Sequence, residues 1–148
     1  MELAEHIAAV RAGAGDPAAM VGEFRRTAVL VPVADGGLMT AEYGGIRWIY
    51  AFTDESALAR FATARGSDPG QEWEYAAVLG ARLLDVMVPE MGRPAGVAVD
   101  VADEDGSMMF PPVRGIVPDE VAVDVDDDEN GNEGRNGAGN ERIQGAGQ

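Results

Sequence analysis

The sequence contains no cysteine, no lysine and a single histidine, His6. Without cysteine the chain can form no disulfide, thiolate nucleophile or sulfur-ligated zinc site. Without lysine it cannot build the Gly-Lys-Ser/Thr phosphate loop of nucleotide-binding proteins. A Ser-His-Asp triad or a histidine-based zinc site would depend on His6, which lies in a predicted terminal helix. We therefore expect a non-enzymatic protein with no catalytic residues, no metal site and no cofactor.

Long apolar runs are also missing. No uninterrupted run approaches the roughly 18 residues that a membrane-spanning helix requires. The N-terminal sequence Met-Glu-Leu-Ala-Glu-His lacks the basic region of a secretory signal. We therefore expect a soluble, cytoplasmic protein with no membrane insertion.

Negative charge predominates: the sequence has eleven arginines and twenty-six acidic residues, which give a formal net charge of −15. Such a surface repels nucleic acid and anionic lipid, and it attracts a basic protein surface. Solubility alone is the simpler explanation of this charge. As a functional hypothesis, the charge predicts a protein partner with a basic surface and no nucleic acid, and it leaves the oligomeric state open.

Length and composition predict one domain followed by a tail. A chain of 148 residues with 46% apolar types is enough for one compact core over residues 1–123. Residues 124–148 are rich in glycine, asparagine and acids, so a disordered acidic tail is expected. This tail matches the first half of a calcium loop, but Gly137 stands where a bidentate glutamate is required. We therefore expect no specific calcium binding.

Helical periodicity and capping residues predict two N-terminal helices within residues 1–26, Leu3 to Arg11 and Pro17 to Arg26. Asp16 is the expected N-cap of the second helix. Further along, the apolar period changes from two to about 3.6 at Thr53, which predicts a strand running directly into a helix from Asp54 to Arg65. Thr53 is expected to accept hydrogen bonds from the free N–H groups of that helix.

Strand signals precede and follow this junction. The apolar run Ala28 to Val33 is typical of a strand covered on both faces, and Pro32 predicts an edge or a bulge. The segments Leu38 to Tyr43 and Ile46 to Phe52 flank Gly44-Gly45, which predicts a two-residue hairpin turn.

In the second half, Trp73, Tyr75, Ala77 and Leu79 alternate on a predicted strand. A helix is predicted from Arg82 to Val88, ended or bent by Pro89. A second hairpin is predicted from the segments Ala95 to Val101 and Ser107 to Phe110, with Asp103, Glu104, Asp105 and Gly106 as its turn. Hairpins and short helices without repeated βαβ crossovers favour an α+β fold, in which about three to four short helices pack on a mixed or antiparallel sheet.

Two groups of residues are candidates for an interaction surface or a pocket. The aromatic group stacks a ligand or partner side chain in one interpretation, and packs under helices in the simpler one. The acidic group collects a cation weakly in one interpretation, and forms an exposed turn in the simpler one. The candidates are Trp48, Tyr50, Trp73 and Tyr75 in the aromatic group and Asp103, Glu104 and Asp105 in the acidic group.

Several of these segments resemble, in their order, the SseB N-terminal domain family over about residues 24–121. The resemblance rests on Phe24 to Pro32, the hairpin, Ala51 to Phe61 and Gly96 to Val99. Its most specific part is Phe-Thr followed by acids and Ala-Leu-x-x-Phe.

The resemblance to this family, whose name comes from enhanced serine sensitivity, implies no catalytic residues. Small actinobacterial relatives are associated with type VII secretion or toxin loci, which implies an accessory role. The leading hypothesis is therefore an acidic protein-interaction module associated with secretion. The alternatives are an amino-acid sensing domain, with the four aromatic candidates lining a pocket, and an immunity-type protein that binds a basic toxin.

Overall fold

The computed structural model describes residues 1–68 and 71–124, and the predicted acidic tail with its calcium-loop-like motif lies outside the described residues except for Asp124. The strands are β1 (Ala28–Ala34), β2 (Gly37–Leu38), β3 (Thr40–Tyr43), β4 (Ile46–Ala51), β5 (Tyr75–Leu79), β6 (Ala95–Val99) and β7 (Met108–Phe110). The helices are α1 (Leu3–Arg11), α2 (Pro17–Arg26), α3 (Glu55–Ala64), α4 (Gly80–Arg82), a π turn (Leu83–Met87), α5 (Val88–Glu90) and a 3-10 turn (Asp119–Val121).

The strands form two sheets, which confirms the predicted α+β class. One sheet has the order β2-β1-β5 and is antiparallel, and the other has the order β3-β4-β6-β7 with β4 and β6 parallel. Leu30 of β1 and Phe52 join the sheets, because each donates its N–H to the other's carbonyl at 2.8 Å. No helix in the described part of the chain has the length and apolar content needed to cross a bilayer.

Helices α1 and α2 have the predicted boundaries. The Asp16 carboxylate accepts a hydrogen bond from the Ala18 N–H at 3.0 Å and caps α2, as expected. The apolar faces of both helices are buried through Ile7 and Phe24, and the Phe24 ring stacks on Phe110 at 4.5 Å. These interactions pack α1 and α2 against the hydrophobic core, which includes Val29 of β1 and Val97 of β6.

Pro32 does not mark an edge strand or a bulge, because β1 pairs in regular register and lies between β2 and β5. Leu30 turns its backbone groups toward Phe52, so Pro32, two residues later, also points away from β5. On that side only the Pro32 carbonyl is used, accepting from the Met39 N–H at 2.8 Å. The missing N–H of proline therefore breaks no ladder hydrogen bond.

The Gly44-Gly45 hairpin is confirmed, and both glycines have the positive φ angles, 64° and 80°, that a two-residue turn demands. The single strand predicted from Leu38 to Tyr43 is wrong. Leu38 pairs with Val33 of β1, whereas β3 begins at Thr40 and pairs with β4. The chain changes its partner strand at Met39.

The predicted strand-to-helix junction between β4 and α3 is confirmed, but its cap is not the predicted residue. The Asp54 carboxylate accepts from the Ala57 N–H at 2.8 Å and is the N-cap of α3. Thr53 lies one residue before this N-cap, and its hydroxyl is turned to Asp100, to which it donates at 2.7 Å.

The helix predicted from Arg82 to Val88 extends over α4, the π turn and α5. The Val88 N–H donates to the Leu83 carbonyl, five residues earlier, which defines the π turn. A regular α-helix would bring the Pro89 ring against the Asp85 carbonyl. The π turn avoids this clash and leaves Pro89 in the first turn of α5, where no N–H is needed.

Strand β6 is buried along its whole length, because β4 and β7 flank it and side chains cover both of its faces. The second predicted hairpin is confirmed, since β6 and β7 are antiparallel neighbours. The strand ends at Val99 and not at the predicted Val101. Asp100 adopts a φ of 51°, which takes the chain out of the extended conformation.

Candidate functional site

Two of the candidate aromatics serve mainly as packing. Trp48 is buried, and its indole N–H donates to the Tyr43 carbonyl at 3.2 Å. Tyr50 is half-buried under α3, with its ring 4.8 Å from that of Phe61. The simpler explanation, packing within the fold, therefore accounts for Trp48 and Tyr50.

The other two aromatics line the surface beside α3. The Trp73 indole N–H donates to the Ser67 hydroxyl at 3.0 Å, and its ring meets Phe61 edge-on at 5.9 Å. Tyr75 is 37% exposed, and its hydroxyl donates to the Glu55 carboxylate. That hydrogen bond raises the pKa of Tyr75 above its ordinary value. Both rings are therefore held in place by a polar interaction at their edge.

These two residues form one wall of a cleft of about 470 Å³ between α3 and the segment that leads into β5. We call it the α3 cleft; it is lined by Glu55, Leu58, Ala59, Ala62, Gln71, Glu72, Trp73 and Tyr75. The helical period places the four α3 residues on one side, facing the aromatic wall. Trp48 and Tyr50 are not among the lining residues, so the four aromatic candidates do not share this cleft.

Charge in the α3 cleft has one sign. Glu55 and Glu72 are the charged groups among its described lining residues, which include no arginine. Aromatic faces and carboxylates together suit a cation on an apolar stem, because the stem packs on the rings while the charge meets the oxygens. The α-carboxylate of an amino acid would find no positive partner there.

The acidic turn lies elsewhere and is held from two sides. Arg60 of α3 binds the Asp103 carboxylate through both of its oxygens, at 2.6 and 2.8 Å. Arg11 of α1 donates to the backbone carbonyls of Glu104 and Ser107, each at 2.9 Å. Within residues 1–68 and 71–124, no three His, Cys, Asp or Glu side chains are grouped to hold a metal ion. The turn, including exposed Asp105, contributes no residue to the α3 cleft.

Replacing Arg60 by glutamine should lower the free energy of unfolding by no more than about 1 kcal/mol at pH 7, because exposed ion pairs contribute little. Arg60 is 54% exposed, and its guanidinium holds the pKa of Asp103 below the ordinary value. The contribution is therefore present above the ordinary aspartate pKa of about 3.9 and is lost as the pH falls through the folded-state value. Urea denaturation of wild type and the Arg60→Gln variant, at pH 7 and at pH values through the titration of Asp103, tests this expectation. An equal difference in the free energy of unfolding at every pH would contradict it.

Sequence reasoning missed Asp100, the buried charged residue of the described chain, which is 3% exposed. It accepts from the Thr53 N–H at 2.9 Å through one oxygen and from the Thr53 hydroxyl at 2.7 Å through the other. Burial raises the pKa of Asp100 and outweighs the lowering effect of the Thr53 hydrogen bonds. Asp100 thus fixes the β4-to-α3 junction and, through it, the position of Glu55 in the cleft. A lone aspartate ending the apolar run of β6 was the available signal.

No family model, no curated protein and no solved structure matches this chain. The resemblance to the SseB N-terminal domain family therefore rests on the sequence motifs alone and stays a prediction. The function has to be inferred from the chemistry of the α3 cleft and of the surface around it.

Proposed function

We propose that this protein is a non-enzymatic interaction module whose α3 cleft binds a basic segment of a partner protein. The proposal rests on one observation, the combination of an aromatic wall with two carboxylates, Glu55 and Glu72, and no arginine among the described lining residues. An arginine or lysine side chain can pack its stem on Trp73 and Tyr75 while its charge meets a carboxylate.

The charge of the whole chain acts in the same direction. A net charge of −15 accelerates the diffusional encounter with a basic partner, and salt weakens this steering. The cleft then provides the short-range interactions that long-range charge cannot give. Affinity for the partner should therefore depend on both the cleft residues and the ionic strength.

The SseB resemblance suggests two cellular forms of this proposal. One is an accessory role associated with type VII secretion, and the other is immunity-type binding of a basic toxin. The immunity-type form requires a basic partner protein, and the accessory form is compatible with one. Identifying the captured partner would choose between them.

Exchanging the two cleft carboxylates for amides, E55Q with E72Q, should reduce partner capture at least about tenfold. The physical reason is that a hydrogen bond to a charged group stabilises a complex by about 1.5 kcal/mol or more, and the exchange removes two charged acceptors. The measurement is affinity capture from native lysate with wild-type and variant baits at about 50 mM salt, where charge steering is strong. Wild type is expected to retain a basic protein in stoichiometric amount and to release it at high salt.

The matched control is the pair D119N with E120Q, two exposed acids of the 3-10 turn that line no part of the cleft. This control also removes two negative charges, so it has the same net charge as the cleft variant. It should capture the partner as wild type does. Equal losses in both double variants would show that net charge alone binds the partner. Capture unaffected by E55Q and E72Q would reject the cleft as the binding site.

A second candidate function, small-molecule sensing, is favoured by the cleft volume of about 470 Å³, within the usual range of ligand sites. Glu55 and Glu72 favour an amine over the amino acid named in the alternative hypothesis, because no described lining residue carries a positive charge. A thermal-shift titration separates the two functions, because a ligand at about 100 times its dissociation constant adds about 2.7 kcal/mol of stability. Stabilisation by an arginine-derived amine such as agmatine, without protein capture, would favour sensing.

A further inference from the structure

The outer edge of β5 carries backbone groups that no strand in the described part of the chain pairs with. Strand β5 pairs with β1 alone, in an antiparallel register that sets Val29 opposite Val78. Because Leu30 turns its backbone groups toward Phe52, Val29 and Val31 turn theirs toward β5. On β5, the backbone groups of Val78 and Ala76 face those of Val29 and Val31. The N–H and C=O groups of Tyr75, Ala77 and Leu79 therefore point away from β1.

The side chains of this edge are apolar. The strand reads Tyr-Ala-Ala-Val-Leu, without charge or proline, and its outward-facing residues include Tyr75, 37% exposed, and Leu79, 52% exposed. Free edges of this kind are usually protected by a charge, a proline or a bulge, because an unprotected edge recruits another strand. None of these devices lies within β5, which makes this edge suited to strand pairing.

We propose that β5 pairs with β5 of a second copy of this chain, antiparallel and about a twofold axis at Ala77. This register sets Ala77 opposite Ala77 of the second copy, and sets Tyr75 opposite Leu79. Tyr75, Ala77 and Leu79 then form hydrogen-bonded pairs, in which each of the two opposite residues donates its N–H to the carbonyl of the other. An aromatic ring opposite a branched aliphatic side chain is a favourable cross-strand pair. The two three-stranded sheets become one continuous sheet.

Charges at the two ends of β5 favour this arrangement over a parallel one. Glu72 and Glu74 precede the strand, and Arg82 follows it. All three are exposed, and no ion pair to another described residue is formed by them. Antiparallel pairing brings Arg82 of each copy to the acidic end of the other. This local attraction opposes the general repulsion between two acidic chains.

Self-pairing goes beyond the proposed function, because it uses the backbone edge of β5. Tyr75 and Glu72 also line the α3 cleft, so self-pairing and partner capture are tested by separate measurements. A dimer built this way displays two clefts and can bind a partner with repeated basic segments more tightly through avidity. Five residues of edge pairing form a small interface, so the dimer should dissociate on dilution.

Sedimentation velocity of the full chain from about 10 to 500 μM tests the pairing, over the range where small interfaces dissociate. Wild type should approach twice the chain mass of 15.5 kDa at the highest concentration. Ala77→Pro should weaken dimerisation at least about tenfold, because proline removes an outward N–H and blocks strand approach. That N–H makes no bond to β1, so the variant should keep the wild-type circular dichroism spectrum.

A charge exchange gives a second readout that does not depend on proline. Arg82→Glu should weaken the dimer, and adding Glu74→Arg in the same chain should restore it, since the attraction is rebuilt with reversed signs. Salt should strengthen the dimer by screening net repulsion, whereas it should weaken capture of a basic partner. If the dimer forms and no partner is captured, the proposed function is rejected and self-pairing stands.

Two outcomes would overturn self-pairing. Wild type could remain a monomer at every concentration, or Ala77→Pro could dimerise like wild type. If wild type stays monomeric and Ala77→Pro also fails to retain a protein that wild type captures, the β5 edge binds a strand of a different protein. Failure of the charge exchange to restore the dimer would reject the antiparallel register.

Discussion

Replacing Gly80 by alanine should unfold the protein or lower its free energy of unfolding by about 3 kcal/mol or more, at the upper end for overpacked cores. A Cβ atom at this position would lie 2.0 Å from the carbonyl oxygen of Phe24 and 2.7 Å from its carbonyl carbon. Phe24 cannot move aside easily, since it is fully buried and stacked on Phe110. The substitution therefore forces apart α2 and the start of α4.

Gly22→Ala is the matched control for this experiment. Gly22 lies inside α2, and the nearest atom to an added Cβ is a guanidinium nitrogen of Arg26 at 3.4 Å. Alanine favours the helical conformation over glycine, so Gly22→Ala should raise the free energy of unfolding by up to about 1 kcal/mol. Urea denaturation of the three proteins measures both effects. Equal stability of the two variants would mean that Gly80 is not closely packed against α2.

Asp100→Ala should lower the free energy of unfolding by about 2 to 3 kcal/mol, because it removes two hydrogen bonds to a charged acceptor. The Thr53 N–H and hydroxyl would be left without their partner in a half-buried site. Alanine also tolerates the φ of 51° at position 100 less well than aspartate does. Since Thr53 lies two residues before the start of α3 at Glu55, removing these hydrogen bonds should also reduce partner capture through Glu55.

Asp100→Asn separates the hydrogen bonds from the charge. The asparagine amide can accept from the Thr53 N–H and donate to the Thr53 hydroxyl, and asparagine is well suited to a positive φ. We therefore expect Asp100→Asn to be much more stable than Asp100→Ala. Equal destabilisation by the two substitutions would show that the carboxylate charge, and not its hydrogen bonds, holds the junction.

The pH dependence of Asp100 has the opposite sign to that of Asp103. Burial raises the pKa of Asp100, so the folded protein holds this proton more tightly than the unfolded chain. Its contribution to stability is therefore greatest below the ordinary aspartate pKa of about 3.9 and declines as the pH rises through the raised folded-state value. Asparagine removes this dependence, so Asp100→Asn should gain stability relative to wild type between about pH 4 and pH 7. Urea midpoints measured at both pH values test the sign.

Local signals predicted the elements whose geometry is set within a few residues of chain. The helices α1 and α2 have the expected ends because the apolar period and the Asp16 cap act within one turn. The hairpin at Gly44-Gly45 followed from the positive φ angles that a two-residue loop requires. The β4-to-α3 junction was predicted because the change of apolar period is itself local.

Errors arose wherever a residue's role depends on a distant partner. Thr53 has the chemistry of a helix cap, yet its hydroxyl is turned to the carboxylate of Asp100, 47 positions away, and Asp54 caps the helix. Pro32 suggested an edge strand, yet the short β2 and the bridge to Phe52 leave its missing N–H without consequence. The alternation of Tyr75, Ala77 and Leu79 on β5 is present, but the packing of the chain leaves these side chains exposed and buries Val78 on the opposite face.

The sequence by itself determined the α+β class, the acidic charge and the absence of cysteine and lysine chemistry, because these follow from composition and short-range periodicity. Only the tertiary structure assembled the α3 cleft and exposed the β5 edge. The cleft joins α3 to residues 71–75, and the free edge follows from the order of three strands. Such sites are made by chain packing, and no short-range pattern specifies which surfaces packing leaves uncovered.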